Sequence, residues 1–478
     1  MAKTTFGFTN FTAGELSPRL DGRTDLEKYF NGCKTLENMV IHPHGGASRR
    51  PGTNFVSEVK ISGNKTRLIP FEFSTTQTYM MEFGNQYIRF HKDNGIITET
   101  GKTISGITQA NPGVVTATSH GYSNGDYVIL SGIVGMTELN GRQFKVAGVA
   151  TNTFQLQDMD GNNFDTSSLT AYASAGTAFR VYQITSPYTT DQLFDIKFAQ
   201  SADVMYLVHP SVAIQKLTRT GHTSWSIGAC TITGSPNPSL SSTDNFPSSV
   251  AFFEQRLVFA GTNNNPQSIF FSVAGSYENF ATGTNATDAM IYTIASNQVN
   301  AIRYLSSTTE LLIGTVGGEF VATSGSNSEP ITPTNIQITR QTNYGAANVD
   351  AIQIANVTMF LQRAKRKVRE LVYNYEVDGY IAPDMTILAE HITEGGLTSF
   401  AYQQEPDSIL WATRNDGTLL GLTYQRNEKV IGWHRHILGG YSDSGKTIAR
   451  SFKSFTANST NVSVANDTIT ISSHGFST

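Results

Sequence analysis

Apolar and polar residues alternate with a period of two along most of the chain, in short runs broken by turn residues. The clearest unit lies between Asp407 and Trp433. It reads Asp-Ser-Ile-Leu-Trp-Ala-Thr-Arg, then Asn415-Asp416-Gly417, then Thr-Leu-Leu-Gly-Leu-Thr-Tyr, with Trp433 marking a third strand. Two alternating runs around Asn-Asp-Gly predict a β-hairpin, because these residues tolerate the positive φ that the tight turn needs. Related units run from Gln77 to His91 with a turn at Gly84-Asn85, and from Asp203 to Trp225 with a turn at Pro210. Others run from Gln255 to Ser272, broken between Asn263 and Pro266, and from Glu310 to Ala322, turning at Gly317-Gly318. Roughly forty to sixty residues is the common interval, the length of one propeller blade. Each unit has an apolar face too small to bury alone. Radial stacking into a β-propeller of antiparallel blades covers those faces and leaves only short sheet edges. Hairpins packed as a sandwich are the competing arrangement.

Three stretches depart from this rhythm. Residues 1–57 predict an extended N-terminal arm, rich in Gly, Pro, Arg and Asn, with one short helix over Leu26 to Leu36 capped by Thr24 and Glu27. The propeller begins over 58–100 and resumes over 183–456. Between them, residues 101–182 are rich in Thr, Gly and Val, with turns every eight to twelve residues, and predict an inserted small all-β domain. Residues 457–478 repeat the opening of that insert. Ile469-Thr-Ile-Ser-Ser-His-Gly-Phe-Ser aligns with Val115-Thr-Ala-Thr-Ser-His-Gly-Tyr-Ser, and the copy stops before its remaining strands. A domain cut there cannot bury its own core, so the expectation is a native chain that continues past Thr478.

Composition supports mainly β structure. The chain has 478 residues, with Gly 42, Phe 28, Tyr 19 and only 15% charged residues, a profile that suits strands and turns better than helix bundles. A net charge of −4 gives no whole-chain footprint for nucleic acid. Cys33 and Cys230 are too few for a disulfide framework, which points to an intracellular folding environment. The N-terminus lacks a signal-peptide pattern, and no apolar run approaches the ~20 residues of a membrane span. A soluble protein is expected.

Several motifs invite a chemical reading. Gly440-Tyr-Ser-Asp-Ser-Gly-Lys-Thr447 has the residue types of a phosphate loop, with Lys446 for phosphate oxygens and Thr447 for Mg²⁺. Its surroundings are β-rich, whereas such a loop joins a buried parallel strand to a helix, so a surface turn is the expected structure. Gly121-Tyr-Ser-Asn-Gly125 has nucleophile-elbow spacing, but Asn124-Gly125 is a hairpin dipeptide and places Ser123 in a turn. His42 with His44, and His434 with His436, share strand faces; two ligands fall short of a zinc site. No cofactor, metal or catalytic set is therefore expected, and the protein is read as a non-enzyme. The dense basic run holds Arg363, Lys365, Arg366, Lys367 and Arg369. It reads either as a contact for phosphates or an acidic partner, or as a solvated turn between two strands. Trp225, Trp411 and Trp433 are expected in the core.

An ordered set of motifs supports a more specific expectation. Gly14-Glu-Leu-Ser-Pro is followed by Tyr29, Gly32-Cys33 and Asn38-Met39, then by Gly45-Gly-Ala-Ser-Arg-Arg-Pro-Gly-Thr53. Further on come Phe253-Glu-Gln-Arg-Leu-Val-Phe-Ala-Gly, Val368-Arg-Glu-Leu and Asp378-Gly-Tyr-Ile-Ala-Pro-Asp-Met-Thr. In this order they resemble the tail nozzle proteins of short-tailed bacteriophages, also called tail tubular or DNA-stabilisation proteins. The resemblance implies a structural virion component, assembled in the bacterial host cytoplasm. Its subunits would form a homohexameric ring below an adaptor ring and extend the exit channel. That ring would retain and then deliver the genome during attachment to the host. The implied partners are further copies, the tail adaptor, tail fibres or other tail proteins, and double-stranded DNA passing through the lumen without sequence-specific binding. Asn38, Gly45, Gly46, Arg49, Arg50, Pro51 and Gly52 form the expected docking motif, on an arm that reaches a neighbour. A P-loop nucleotide-binding enzyme and a carbohydrate-binding receptor propeller are the alternatives. Titration with Mg·ATP is expected to give no saturable binding, whereas micromolar affinity abolished by Lys446→Ala would establish the nucleotide reading.

Overall fold

The computed structural model describes residues 10–240, 244–295, 300–326 and 329–438, with two further short strands, Val462–Ala465 and Thr468–Ile471. Gly440 to Thr447, and residues 457–478 apart from those two strands, lie outside the described residues. The described residues build six four-stranded antiparallel blades, each a meander in sequence order. Blade 1 comprises Arg67–Ser74, Gln77–Gly84, Tyr87–Lys92 and, after the insert, Gln183–Thr185. Blade 2 is Lys197–Ser201, Val204–His209, Val212–Gly221 and Ser224–Ala229. Blade 3 is Pro247–Phe253, Arg256–Thr262, Ser268–Phe271 and Met290–Thr293. Blade 4 is Ile302–Ser307, Leu311–Thr315, Glu319–Thr323 and Gln337–Thr342. Blade 5 is Ile352–Ile354, Val357–Leu361, Val368–Asn374 and Gly379–Ile381. Blade 6 is Leu397–Gln403, Ile409–Arg414, Leu419–Gln425 and Val430–His436.

Stacking of sheet faces makes the core. Phe71, Met81 and Phe90 of blade 1 meet Leu207, Leu217 and Trp225 of blade 2. Phe259 and Phe270 cover the other side of blade 2, and Ile269 and Phe271 turn toward Leu311 and Ile313 of blade 4. Tyr304 and Phe360 join blades 4 and 5, while Met359, Leu361, Leu410, Leu422 and Trp433 join blades 5 and 6. Adjacent residues of one strand thus serve different interfaces, the expected result of a two-residue side-chain period in a sheet buried on both faces. This is the β-propeller expected from the periodicity. Trp225 and Trp433 are buried as expected. Trp411 is only half-buried, because it lies on the opposite face of blade 6, away from blade 5; its Nε1 donates to Gln403 Oε1 at 2.9 Å.

The insert forms its own seven-stranded sheet, from Lys102–Thr103 to Ser174–Arg180. It surrounds a separate core that includes Val128, Leu130, Phe144, Phe154 and Leu156. It interrupts blade 1 between the third and fourth strands. Its two ends are held together as in a hairpin: Thr98 bridges Val181, Glu99 N donates to Arg180 O, and Tyr182 N donates to Ile97 O. The joint with blade 1 is aromatic and cationic. The buried Arg89 guanidinium lies 4.5 Å from the Tyr127 ring centroid, and Lys60 Nζ lies 4.8 Å from that of Tyr87.

One local expectation fails. Residues 26–36 do not form an α-helix; a single 3₁₀ segment, Glu27–Asn31, occupies the middle of that stretch. Thr24 does not cap it, since Leu26 holds the N-cap position without a side-chain bond. The segment buries no residue, so no apolar face is available to stabilise a longer helix. Replacing the residues between Glu99 and Arg180 with a short Gly/Ser linker is expected to leave a soluble β-rich protein, because closing a surface loop costs little entropy. Circular dichroism and thermal unfolding test this; global aggregation would show that the insert is part of the propeller core.

Candidate functional site

The residues of the resembling N-terminal motif converge on the edge of blade 6. Gly14 and Glu15 form a short strand parallel to the last strand of that blade, with Gly14 opposite Trp433, and Gly32-Cys33 adds one more strand outside it. Gly14 has φ +67°, and a Cβ there would lie 2.5 Å from Trp433 N. Only glycine permits this approach. Glu15 is fully buried and receives three hydrogen bonds and one further ion-pair contact. His391 Nε2 lies 2.9 Å from Oε1 and Arg435 Nη2 2.7 Å from the same oxygen. Arg435 Nε lies 3.1 Å, and Leu36 N 2.8 Å, from Oε2. Burial pushes the carboxyl pKa up, but the bonds from His391 and Leu36 and the Arg435 charge outweigh it and hold the group ionised.

The expected docking residues continue this seam. Asn38 sits in the left-handed region at φ 56°. Its N–H donates to Arg435 O at 2.8 Å, and its Oδ1 accepts from Ile437 N at 2.9 Å. Gly45, at φ 102°, and Gly46 close the hairpin between Met39–Ile41 and Ala47–Arg49. His42 N donates to Gly46 O, and Phe11 N donates to Gly45 O. Arg50 N donates to Asn38 O. Arg49, Pro51 and Gly52 are exposed, Arg49 while paired with Met39 in that hairpin. The arm seats on the chain's own sixth blade, where Leu36, Ile41 and Val430 form a small core. Parallel strand addition satisfies an edge that would otherwise expose unpaired backbone groups.

Beneath the arm lies a buried histidine pair. His434 Nδ1 and His436 Nε2 are 2.6 Å apart, beside Trp411. His434 Nε2 lies 3.1 Å from Thr423 Oγ1, which in turn reaches Ile41 O. A consistent chain of donors runs from His436 Nε2–H to His434 Nδ1, and from His434 Nε2–H through Thr423 to Ile41. Burial, with repulsion from His436, lowers the His434 pKa to about 3; burial, with repulsion from Arg50, lowers that of His436 to about 4. Both rings are held neutral. Among the described residues no group of three His, Cys, Asp or Glu side chains could hold a metal.

The basic run occupies the turn between the second and third strands of blade 5. Arg363, Lys365, Arg366 and Lys367 are exposed, and Lys365 takes φ 62°. Lys367 pairs with Asp384 at 2.7 Å. Arg369 is buried instead: Nη1 donates to Ala382 O, Nε to Gln362 Oε1, and its guanidinium stacks on Tyr344 at 3.4 Å. Arg369 is thus a structural cation, and only the first four residues offer charge to solvent. The nucleophile-elbow spacing resolves as a turn, with Asp126 Oδ2 accepting from Ser123 N before the strand Tyr127–Val134.

Sequence reasoning did not single out a polar tie between non-adjacent blades. Lys197 of blade 2 donates to Arg303 O of blade 4, with Asp350, at the entry to blade 5, 3.2 Å away. Asn348 Nδ2 donates to Asp195 Oδ1 at 2.8 Å. The Lys197 pKa is lowered by burial, partly offset by Asp350. No local signal marks these residues, since each is an ordinary polar residue beside an inner strand.

Fold and site together define a six-bladed β-propeller with an inserted β-domain and an arm that augments the last blade. A sequence model of the ubiquitin-activating enzyme E1 FCCH domain matches residues 110–181, within the insert. No curated protein matches the chain by sequence. Among solved structures, the β-propeller domain of Myceliophteria thermophila Cps50 (Swd1) is similar at 9% identity and a TM-score of 0.36. That match covers 76% of this chain and 98% of the other. The endosialidase of phage phi92 is similar at 12% identity and a TM-score of 0.28, over 87% and 82%. An auxiliary nutrient binding protein from Bacteroides ovatus matches at 9% and 0.34, over 73% and 88%.

Two outcomes test the seam. Glu15→Ala leaves Arg435 and His391 without their buried partner and is expected to cost about 3–5 kcal/mol in denaturant unfolding. The histidine pair adds a pH signature. Unfolded imidazoles titrate near 6.5, and the folded pair only near 4 and 3. Stability is therefore full above pH 6.5 and falls as pH drops toward 4, because the unfolded state binds protons first. Glu15 loses its contribution as pH falls from the usual carboxylate range toward its lowered folded pKa. Loss between pH 6.5 and 5 that is blunted in His434→Gln/His436→Gln assigns this window to the pair.

Proposed function

We propose that this chain is a structural subunit of the tail of a short-tailed bacteriophage, assembling as a ring in the nozzle. The observation that carries the reading is where the resembling motifs fall. They meet in structural joints rather than around a reactive centre. Glu15 binds Arg435 and His391 at the arm. Arg256 ties down the loop between the third and fourth strands of blade 3, donating to Ser272 O and Asp288 O at 2.7 Å each. Arg369 ties its own blade, and Met385 O accepts from Trp433 Nε1 at 2.8 Å. A signature spread over joints is what a shape-determined assembly protein requires.

The ring, the adaptor above it and the DNA in its lumen are part of this proposal. The arm folds onto blade 6 and leaves Arg49, Pro51 and Gly52 exposed for contacts to other subunits. The exposed cations Arg363, Lys365 and Arg366 suit an acidic protein partner better than the moving genome, since phosphate grips would slow sliding in a salt-dependent way. Negative-stain imaging of the purified protein and of virion tails tests the reading. Rings of uniform copy number that match a density below the adaptor are expected. A monomer absent from tails, with saturable oligosaccharide binding, would favour a receptor propeller instead.

A further inference from the structure

The face of blade 1 turned away from blade 2 brings together a serine, a histidine and a glutamate. Glu82 lies on the second strand of the blade and His91 on the third. The stretch that precedes the first strand crosses this face and carries Ser57. Lys60 N donates to Glu82 Oε1 at 3.2 Å, and Tyr127 Oη of the insert donates to Lys60 O at 3.3 Å, so the crossing stretch is pinned just beyond the serine. Ser57 Oγ lies 3.5 Å from His91 Nδ1, and His91 Nε2 lies 3.3 Å from Glu82 Oε2.

The carboxylate sets the order of donors. Glu82 is buried and also accepts from Tyr87 Oη at 2.6 Å. Burial pushes its pKa up, but the bonds from His91 and Tyr87 and the Arg89 charge outweigh it, and the group stays ionised. An ionised carboxylate can only accept. His91 Nε2 therefore carries the ring proton, and Nδ1 presents a lone pair to the Ser57 hydroxyl. A general base needs this arrangement, with one ring nitrogen held by a carboxylate and the other facing the nucleophile. A separation of 3.5 Å is long for a hydrogen bond, as nucleophile–base pairs are before substrate tightens them. All three side chains line an open cleft of about 550 Å³. Val56, Val59, Leu68, Pro70 and Met80 give it apolar walls.

We propose that this cleft hydrolyses carboxylic esters with an apolar acyl chain, with Ser57 as nucleophile and His91 as base. The activity is independent of the ring assembly proposed above. Ser57 Oγ attacks the ester carbonyl carbon, and its proton passes to His91 Nδ1. Glu82 is a positioning residue that fixes the ring tautomer and stabilises the imidazolium. As the tetrahedral adduct collapses, the bond from carbon to the alcohol oxygen breaks, and the alcohol leaves with the proton from Nδ1. A water molecule then attacks the acyl carbon on Ser57 and gives one proton to Nδ1. The carboxylic acid departs as Ser57 Oγ takes that proton back. Thr78 and Asn94, also on the cleft wall, offer side-chain donors to the oxyanion. The apolar walls favour an apolar acyl chain, because binding there removes its surface from water.

The test uses the full chain, with p-nitrophenyl butyrate as substrate and a fluorophosphonate as covalent probe. Saturable hydrolysis is expected, and peptide mapping should find the probe on Ser57. Ser57→Ala should lower turnover by about a hundredfold or more, with circular dichroism and melting unchanged. Ser62→Ala, on the same stretch with its hydroxyl bonded to Glu58, is the control and should keep the activity. Glu82→Gln should lower kcat with little change in KM, because an amide cannot stabilise the imidazolium formed during attack; an unchanged kcat overturns that role. Equal hydrolysis by wild type and Ser57→Ala, with no probe on Ser57, overturns the site and leaves the three side chains as a tie for the crossing stretch. Labelling of the wild type decides the matter even where a variant fails to fold.

Discussion

A four-stranded sheet with two apolar faces cannot exist alone in water, and this constraint organises the whole chain. Burial of apolar surface, at roughly 25 cal/mol per Å², is available only when each blade is sandwiched between two others. Phe259 and Phe270 face one neighbour while Ile269 and Phe271 face the next, so one strand cements two interfaces. No blade can be removed without exposing both adjoining faces. The arm adds a further cover, packing Leu36 and Ile41 on Val430 of blade 6.

The sealing arm shows how polar groups can be buried safely. Glu15 is taken wholly out of water, and that is tolerable because both oxygens receive donors from three separate segments. A buried charge so arranged fixes geometry more than it adds stability. The neighbouring histidines do the same without charge, passing one hydrogen-bond direction from His436 to the Ile41 carbonyl. Together they allow only one register of arm on blade.

Much of the fold was legible in the chain because strands announce themselves locally. Alternation around Asn415-Asp416-Gly417 and Gly317-Gly318 is set by turn chemistry and side-chain period alone. The insert was readable for the same reason, as was the break in rhythm at its borders. The arm was legible as a distinct stretch but not in its destination. The Gly45-Gly46 turn is local, whereas the contact of Glu15 with Arg435 spans most of the chain. Arg369 illustrates the limit: inside a basic run it looks like its neighbours, and only the position of Tyr344 and the Ala382 carbonyl makes it a buried tie.

The polar ties between non-adjacent blades have a mechanical consequence. Lys197 links blade 2 to the Arg303 carbonyl of blade 4 and to Asp350 at the entry to blade 5, and Asn348 reaches Asp195. Among the described residues blade 2 shares no apolar cluster with blades 4 and 5. One buried ammonium nevertheless holds all three to a common point, so none of them can shift there without pulling on the others.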